Sequence, residues 1–258
     1  MICFAILAHQ DEYALFQQIR NIRKYTRQDA LIVLYNGGTD PNFGKRVCRN
    51  EKVMYCPYSR PLQPPRNTGR FFYDVMSWLE ESSVHYEYLV FMEFDVMFVN
   101  PGFEAFLEKN MAGYDCIGKY IRHETDPRKT VWKPGVTMWQ EWGKWQPFFK
   151  RKGFYGTFNP MQVYRHRIIK RMLKGINKRQ LERLFKNSNV YALGEMLYLT
   201  LAMKYGGKSR PYPLGRVKYL RFAPHISLYD AMQAKSQPKI MFVHPVKDAN
   251  VRNWISEQ

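Results

Sequence analysis

Acidic residues and cysteines are scarce in this sequence. Its 258 residues include 22 acidic side chains against 40 lysines and arginines, a formal net charge of +18, and only four cysteines. No cysteine belongs to a C-x-x-C pair or a zinc-like spacing, so we expect buried thiols, with a Cys48–Cys56 disulfide as the alternative. The excess positive charge favours polyanions, anionic lipid surfaces or phosphorylated small molecules as partners.

Long apolar runs, internal repeats and low-complexity segments are also absent. No stretch reaches the roughly 18 to 20 apolar residues that a membrane-spanning helix needs, and no signal-peptide pattern precedes the first strand-like run. The sequence therefore predicts a cytoplasmic protein that is soluble or peripherally bound to a membrane. Hydrophobic residues make up 45% and aromatic residues 16% of the chain, which argues against a disordered binding segment.

Strand-like and helix-like segments alternate in the first part of the chain. The predicted strands lie at 2–8, 30–35, 52–56 and 88–99, and the predicted helices lie at 13–25, 68–81 and 102–109. This alternation is typical of a mostly parallel sheet covered by helices. Residues 2–8 have almost no polar interruption, as expected for a strand buried on both faces. Asn67 and Thr68 are the predicted cap of the second helix.

The pattern becomes irregular in the second part of the chain. Residues 122–158 contain four tryptophans among prolines and glycines, which indicates a substrate-facing insertion or core packing. Residues 161–186 are dense in lysine and arginine and predict one or two amphipathic helices, while 194–205 predict a further helix and 239–243 a late strand. The basic helices are either a solvated surface or a contact for anionic membrane or acidic glycan.

Two carboxylates interrupt the apolar run at 88–99. Glu93 and Asp95 are two residues apart, so in a strand their side chains project to the same side. Like charges in an apolar setting are costly unless a cation or strong donors compensate them. Hard oxygen ligands suit Mg²⁺ or Mn²⁺. The alternative is a pair of partly exposed carboxylates held by arginines.

The sequence Glu93-Phe94-Asp95 resembles the D-x-D element of GT-A glycosyltransferases, in the form E-x-D, after three strands and a helix in the expected order. The resemblance implies a single α/β domain of the GT-A (Rossmann-like) type, with a mixed, mostly parallel central sheet flanked by helices. Residues 1–120 would bind the nucleotide sugar and 121–258 the acceptor. Asp95 would ligate Mn²⁺ or Mg²⁺, and Glu93 would contact the ribose or metal-bound water.

Residues 6–12, with the sequence ILAHQDE, are similar to the first strand and loop of the core-2/I-branching and peptide xylosyltransferase family. This implies that His9 belongs to the nucleotide site. Asn36 falls where GT-A enzymes contact the base, although a strand-end Asn-Gly is often only a turn. Arg66 and Arg70 flank a predicted helix start and are candidates for nucleotide phosphates or ribose.

Residues 193–201 resemble the segment that carries the catalytic acidic residue in the branching-enzyme family. Glu195 is therefore the candidate general base, and the alternative is a glutamate that complements the positive end of a helix. His244 follows the late strand, where many metal-dependent GT-A enzymes place a further metal ligand, and Lys247 would contact the diphosphate. The branching enzymes generally work without metal, so metal dependence and inverting or retaining chemistry stay open.

Together these features predict a hexosyl- or pentosyltransferase that moves a sugar from a nucleotide sugar to a glycan. UDP as the nucleotide rests on the resemblance alone. One alternative is a nucleotidyltransferase or phosphodiesterase in which Glu93 and Asp95 hold two metals. The other is a basic nucleic-acid-binding module, but no helix-turn-helix, zinc finger or RNP-like motif is visible in the sequence, so no nucleic acid is expected.

Overall fold

The computed structural model describes residues 1–27, 29–62 and 68–258, without the side chain of Thr68. The predicted nucleotide contact Arg66 and the predicted helix cap, Asn67 with Thr68, therefore lie outside what is described. Within the described ranges, the strands are β1 Ile2–Ala8, β2 Leu31–Asn36, β3 Met54–Tyr55, β4 Tyr88–Glu93, β5 Met97–Phe98, β6 Cys116–Gly118, β7 Arg122–Glu124, β8 Phe154–Gly156, β9 Gln162–Arg165, β10 Ser209–Pro211 and β11 Phe242–Val243.

The helices surround these strands. The α-helices in the described ranges are α1 Glu12–Tyr25, α2 Lys45–Asn50, α3 Thr68–Glu81, α4 Phe103–Asn110, α5 Lys133–Gln140, α6 Trp142–Phe149, α7 His166–Gly175, α8 Lys178–Asn187, α9 Leu197–Lys204, α10 Leu228–Lys235 and α11 Ala249–Glu257. Two 3₁₀ turns, Leu193–Glu195 and Leu214–Arg216, complete the described elements.

The central sheet has seven described strands in the order β10-β6-β9-β4-β1-β2-β3. Neighbouring strands are parallel except that β9 is antiparallel to both β4 and β6. The predicted α/β class with a mixed, mostly parallel sheet flanked by helices is therefore confirmed. Because β1, β2, β4 and β6 run in one direction, their carboxyl ends lie at a single edge, and β9 begins at that edge.

The core follows from the alternation of side chains along the buried strands. In β1, Cys3 and Ala5 pack into one hydrophobic cluster, whereas Phe4 and Ile6 pack into the cluster on the other face. A strand covered on both sides needs an unbroken apolar run, which is the pattern that predicted it. The four cysteines are free and buried, as expected, so Cys48 and Cys56 form no disulfide.

The segment 88–99 differs from its prediction as one long strand. β4 ends at Glu93, a turn closes with a hydrogen bond from Val96 N to Glu93 O, and β5 leaves the central sheet to pair with β11. The predicted alternation of Glu93 and Asp95 along one strand is thus wrong, because Asp95 lies in the turn. The chain turns where the carboxylates begin, since further extension would bury them among the apolar layers.

The start of the predicted basic helices also differs. Residues 162–165 form β9, and the helical segment begins only at His166 and is interrupted after Gly175. Residues 162–165 pair with β4 and β6 on either side, and the side chains of Val163 and Tyr164 are buried on the two faces of the sheet. These tertiary contacts override the helix-like charge pattern. A search of the described residues found no helix with the length and apolar character needed to cross a membrane.

Candidate functional site

Polar side chains collect at the carboxyl edge of the sheet. Ala8 pairs with Asn36 in β2, and Leu7 pairs with Glu93 in β4, so three adjacent strands end side by side. Ligands of open α/β sheets bind beyond such an edge. The same edge receives Lys119, directly after β6, because β6 runs parallel to β4.

Glu93, Asp95 and His244 form the central cluster of this edge. Each offers one ligand atom, and these atoms lie within 4.8 Å of one another. His244 arrives from a distant part of the chain because β11, which ends at Val243, pairs with β5. Its Nε2 is 3.3 Å from Asp95 Oδ1 and 3.5 Å from Glu93 Oε2. The structure thus brings His244 to the predicted pair Glu93 and Asp95.

The orientation of His244 suits a metal ligand. Its Nδ1 lies 2.8 Å from the carbonyl oxygen of Arg221, an arrangement in which Nδ1–H donates and Nε2 faces the carboxylates. Burial opposes protonation of His244, but the nearby carboxylates of Asp95 and Glu93 outweigh it and raise its pKa to about 9. Without a cation the imidazolium itself neutralises part of the carboxylate charge.

Asp95 is almost completely buried, at 1% exposure, yet it is ionised. Burial would raise its pKa, but His244 and Lys247 outweigh that effect and lower it to about 2. Lys247 Nζ lies 2.5 Å from Asp95 Oδ2, whereas Oδ1 accepts no hydrogen bond from the described residues. A buried carboxylate oxygen without a donor is costly, and this one lies beside His244 Nε2.

The turn at 93–96 and the segment after β11 are joined by a backbone hydrogen bond and by Arg252, and Gln18 holds the turn from α1. Val246 N donates to Asp95 O at 2.9 Å. Arg252, in α11, donates to Phe94 O at 3.3 Å and to Val246 O at 2.9 Å. Gln18 Nε2, in α1, lies 2.8 Å from Glu93 O and 2.9 Å from Val96 O. These contacts fix the turn that follows β4.

The donor set fits a divalent cation. Two carboxylates and one imidazole are ligands that Mn²⁺ accepts, and Mg²⁺ shares the preference for carboxylate oxygen. The orphaned Oδ1 of Asp95 and the His244 Nε2 lie on the same side of the cluster. Asn159 Nδ2 donates to Glu93 Oε1 at 2.7 Å and leaves Oε2 for the cluster, which is the outer support that metal-binding carboxylates usually have.

A cavity of about 590 Å³ opens beside the cluster. Its lining includes Glu93 and His244 from the cluster, and Glu195 from the 3₁₀ turn Leu193–Glu195. Aromatic and cationic side chains complete the wall, among them Trp132, Tyr191, Phe158, Lys119 and Arg122. A space of this size with a few converging polar groups is typical of a small-molecule site.

Glu195 is buried at 7% exposure, and its Oε2 finds no hydrogen-bond partner among the described residues. Burial and the negative charge of Glu93 raise its pKa to about 8, against smaller opposing effects of the Asn159 backbone and Arg122. Its backbone oxygen accepts from Thr157 N at 2.9 Å. A carboxyl group with this pKa accepts or releases a proton close to neutral pH.

The other predicted nucleotide contacts have different surroundings. His9 is exposed and lies edge-on to Phe94, with ring centroids 5.7 Å apart. The Asn36 amide accepts from Gly38 N and donates to Asp40 O and the Tyr55 hydroxyl, so its side chain holds a turn. Their roles toward a nucleotide stay predictions.

The side chain of Arg70 contacts no residue of the central cluster and is paired with carboxylates elsewhere. Its guanidinium binds Glu182 through two hydrogen bonds of 2.8 and 2.7 Å and lies 3.4 Å from Asp74. Paired arginines of this kind hold helices together. A nucleotide contact by Arg70 would have to compete with these two carboxylates.

Several site residues escaped prediction. Asn159, Gln18 and Arg252 support the cluster, and no motif in their own segments points to that role. Lys119 carried a usable signal, since a cation directly after a buried strand belongs to the ligand-binding edge whenever the strand is parallel. Trp132 lines the cavity, whereas Trp145 is fully buried in the core; core packing is thus confirmed for part of the tryptophan-rich segment, and its substrate-facing role stays a prediction.

Comparison with known proteins gives matches only among solved structures. No protein family matches the sequence, and no curated protein does. The mannosyltransferase PcManGT from Pyrobaculum calidifontis, in complex with GDP-Man and Mn²⁺, has 11% identity and a TM-score of 0.46 over 82% of this chain and 54% of that chain. TarS from S. aureus has 12% identity and a TM-score of 0.46 over 82% and 35%.

A third match is core-mannan synthase A (CmsA/Ktr4) from Aspergillus fumigatus in a Mn/GDP form, with 11% identity and a TM-score of 0.40 over 82% of this chain and 72% of that chain. This chain is similar in part to these three structures, of which the first is named a mannosyltransferase and the third a synthase. It spans about half the length of the first and about a third of the second.

Proposed function

We propose that the chain is a GT-A type glycosyltransferase that moves a sugar from a nucleotide-sugar donor to a carbohydrate acceptor. The observation that carries this proposal is the convergence of Glu93, Asp95 and His244 at the carboxyl edge of a parallel sheet, directly beside a cavity that contains Glu195. One end of this arrangement suits a metal-bound diphosphate and the other suits a hydroxyl nucleophile. The resemblances of 6–12 and 193–201 to branching enzymes remain predictions.

On the donor side, Glu93, Asp95 and His244 would hold Mn²⁺ or Mg²⁺, which supplies positive charge for the diphosphate leaving group. Lys247, 2.5 Å from Asp95 Oδ2, adds a second cation for the same phosphates. His9, directly after β1, and Asn36, the last residue of β2, belong to the same edge, and we propose that the nucleoside extends toward them. UDP is the preferred nucleotide on the sequence resemblance alone.

On the acceptor side, Glu195 is the candidate general base. As the acceptor oxygen bonds to the anomeric carbon, the bond from that carbon to the donor phosphate oxygen breaks, and the hydroxyl proton passes to Glu195. The orphaned Oε2 of Glu195 has the required free lone pairs. Transfer in one displacement of this kind inverts the anomeric configuration.

A second candidate, a two-metal nucleotidyltransferase or phosphodiesterase, has less support. Two-metal catalysis needs ligands for ions roughly 3.5 to 4 Å apart. Among the residues that the structure describes, Glu93, Asp95 and His244 are the only group of three converging ligands. A single cation with a separate buried base favours glycosyl transfer.

The proposal is tested by a donor-hydrolysis screen across UDP-, GDP- and TDP-sugars with Mn²⁺ or EDTA. We expect one nucleotide class to be hydrolysed, with loss of activity in EDTA and in Asp95→Asn. A parallel thermal-shift series with CTP, ATP and single-stranded DNA separates the alternatives. Stabilisation by nucleic acid alone, or full turnover in Asp95→Asn, would contradict the proposed function.

Helices α7 and α8 suggest a peripheral partner. Their exposed cations are Arg167, Lys170, Arg171, Lys174, Lys178, Arg179, Arg183 and Lys186. We propose that this face binds an anionic surface, either lipid or acidic glycan. Sedimentation with vesicles with and without anionic lipid, and retention on an acidic polysaccharide resin, separate the two. Absence of both at low salt would refute the contact.

A further inference from the structure

The cavity wall contains cations that the proposed reaction does not use. Lys119, Arg122 and Lys133 all line it. Asp95 and Lys247, the groups suited to the donor diphosphate, do not appear in the lining. The cavity therefore has a positive region of its own, in addition to the one at the metal cluster.

Lys119 is the most unusual of these cations, because it is buried at 3% exposure. Its Nζ lies 3.0 Å from Val217 O and also donates to Leu220 O. Among the described residues, no carboxylate lies within ion-pair distance of it. An ammonium has three N–H donors; two reach carbonyl oxygens of the described residues, and the Tyr120 ring centre lies 4.5 Å from Nζ. A buried charge without a counter-charge is costly unless a ligand supplies one.

Arg122 and Lys133 extend this region along the aromatic wall. The Arg122 guanidinium stacks over the Trp132 ring at 4.7 Å, and Lys133 Nζ lies 4.6 Å from the Tyr191 ring centre. Within the described ranges neither cation has an acidic partner. Flat aromatic faces with adjacent cations combine two contacts, stacking on a sugar ring and attraction of an anionic substituent.

Two other arginines of the described residues, Arg70 and Arg165, find acidic partners, whereas the buried Arg252 donates to carbonyl oxygens. Arg70 pairs with Glu182 and Asp74, and Arg165 pairs with Glu87 at 2.9 Å. Of the cations that line the cavity, Arg221 pairs with Asp230 at 2.7 Å, whereas Lys119, Arg122 and Lys133 contact carbonyl oxygens or aromatic rings. Their positive charge stays available at the cavity surface, which is what binding of a charged ligand requires.

We propose that Lys119 and Arg122 form an anion subsite that binds a phosphate or carboxylate group on the acceptor, with Trp132 against its sugar ring. The acceptor is thus an acidic or phosphorylated sugar. The identification of the ligand as the acceptor rests on the proposed function. The anion subsite itself rests only on its cations. The donor diphosphate is a different anion, held near Lys247 and Asp95.

Two anion probes separate the subsites in thermal-shift measurements. Inorganic phosphate without metal, compared with chloride at equal ionic strength, probes the cavity, and pyrophosphate with Mn²⁺ probes the cluster. At phosphate tenfold above its Kd we expect a rise in Tm of roughly 3 to 5 °C. Lys119→Met and Arg122→Gln should lose that rise and keep the response to Mn²⁺-pyrophosphate, and Asp95→Asn should do the reverse.

Lys204→Met is the matched control, because Lys204 Nζ also donates to a carbonyl oxygen, that of Phe148 at 2.8 Å, but lies outside the cavity lining. It should respond to phosphate like the wild type. If Lys119→Met does not fold by circular dichroism, Arg122→Gln carries the test. A phosphate response that survives in both cavity variants, or no response beyond chloride in the wild type, overturns the subsite. Even if the subsite is overturned in this way, a Mn²⁺-pyrophosphate response that the wild type shows and Asp95→Asn lacks would still support the proposed function.

Discussion

The metal cluster and the cavity beside it are built in different ways. Glu93 and Asp95 lie directly after a central strand, and Gln18 and Arg252 hold their turn from two helices. Glu195, Arg122 and the aromatic wall belong instead to short elements and loops of the second half of the chain. In the proposed site, the half on the sheet would keep the metal-binding chemistry fixed while the half on loops would determine the bound substrate.

The largest effect is expected at the cluster. Asp95→Asn removes a buried anion that pairs with His244 and Lys247, so Mn²⁺ binding and donor turnover should fall to background, a loss of roughly 10³-fold or more. Calorimetric titration with Mn²⁺ and the donor-hydrolysis assay measure the two losses.

Asp29→Asn is the control, because Asp29 is exposed and takes no part in the described cluster. Normal Mn²⁺ affinity in Asp95→Asn would contradict the assignment of this aspartate and would remove the contrast between a fixed metal end and a variable cavity.

The next effect belongs to the cavity. Glu195→Gln keeps the shape of the side chain but removes its ability to accept a proton, and we expect kcat to fall by roughly 10² to 10⁴-fold with unchanged Mn²⁺ affinity. Because the pKa of Glu195 is raised to about 8 by burial and by Glu93, wild-type activity should rise with pH up to about 8. Near wild-type kcat in Glu195→Gln, with the same rise of activity up to about pH 8, would exclude Glu195 as the base.

A smaller effect is expected from the support of the cluster. Arg252→Met keeps much of the apolar packing of α11 but removes the donors to Phe94 O and Val246 O. Loss of such outer contacts typically weakens metal binding by about 10 to 100-fold. Arg171→Met, on the exposed face of α7, controls for charge. Equal Mn²⁺ affinity in both variants would show that the turn is rigid without Arg252.

The smallest effect concerns stability against pH. The pKa of His244 is raised from 6.5 to about 9, so its protonation stabilises the fold fully below pH 6.5. This stabilisation is lost as pH rises through 9. Glu195, at about 8 against 4.5, is buried neutral, so its ionisation also lowers stability as pH rises toward 8. The metal-free Tm should therefore fall between pH 5.5 and 9, by roughly 5 °C or more.

Glu195→Gln should reduce this fall in Tm, and Mn²⁺ should reduce it further because the cation replaces the proton on His244. The slope is measured by thermal melts in overlapping buffers at constant ionic strength. A pH-independent Tm in the wild type would contradict both pKa shifts.

The sequence predicted the first half of the fold and the residues of the central cluster better than the wall of the cavity. Residues 2–8 and 30–35 are continuous apolar runs, and such runs dictate buried parallel strands with little ambiguity. Asp95 was proposed as a ligand from its resemblance to the D-x-D element, and His244 because it follows the late strand. The strand β9 was missed because Gln162–Arg165 is short and precedes a strongly basic helix, so its partners, which lie far away in sequence, decide its conformation.

The cavity could not be predicted for a related reason. Lys119 and Arg122 are ordinary cations in a sequence with 40 of them, and only the folded chain shows which lack acidic partners. The same holds for Asn159, whose hydrogen bond to Glu93 spans 66 positions. Local patterns carry propensity and burial, whereas pairing between side chains is a property of the tertiary structure.

The hydrogen bond from Arg252 to Phe94 O joins residues separated by 158 positions. During synthesis, the carboxylates leave the ribosome long before the helix that holds their turn. Until α11 has emerged and docked, a nascent chain has the two acidic residues without their guanidinium brace, and without His244 and Lys247 as counter-charges. The proposed metal site can therefore mature only after residues 244–252 have been made, although Glu93 and Asp95 are translated well before them.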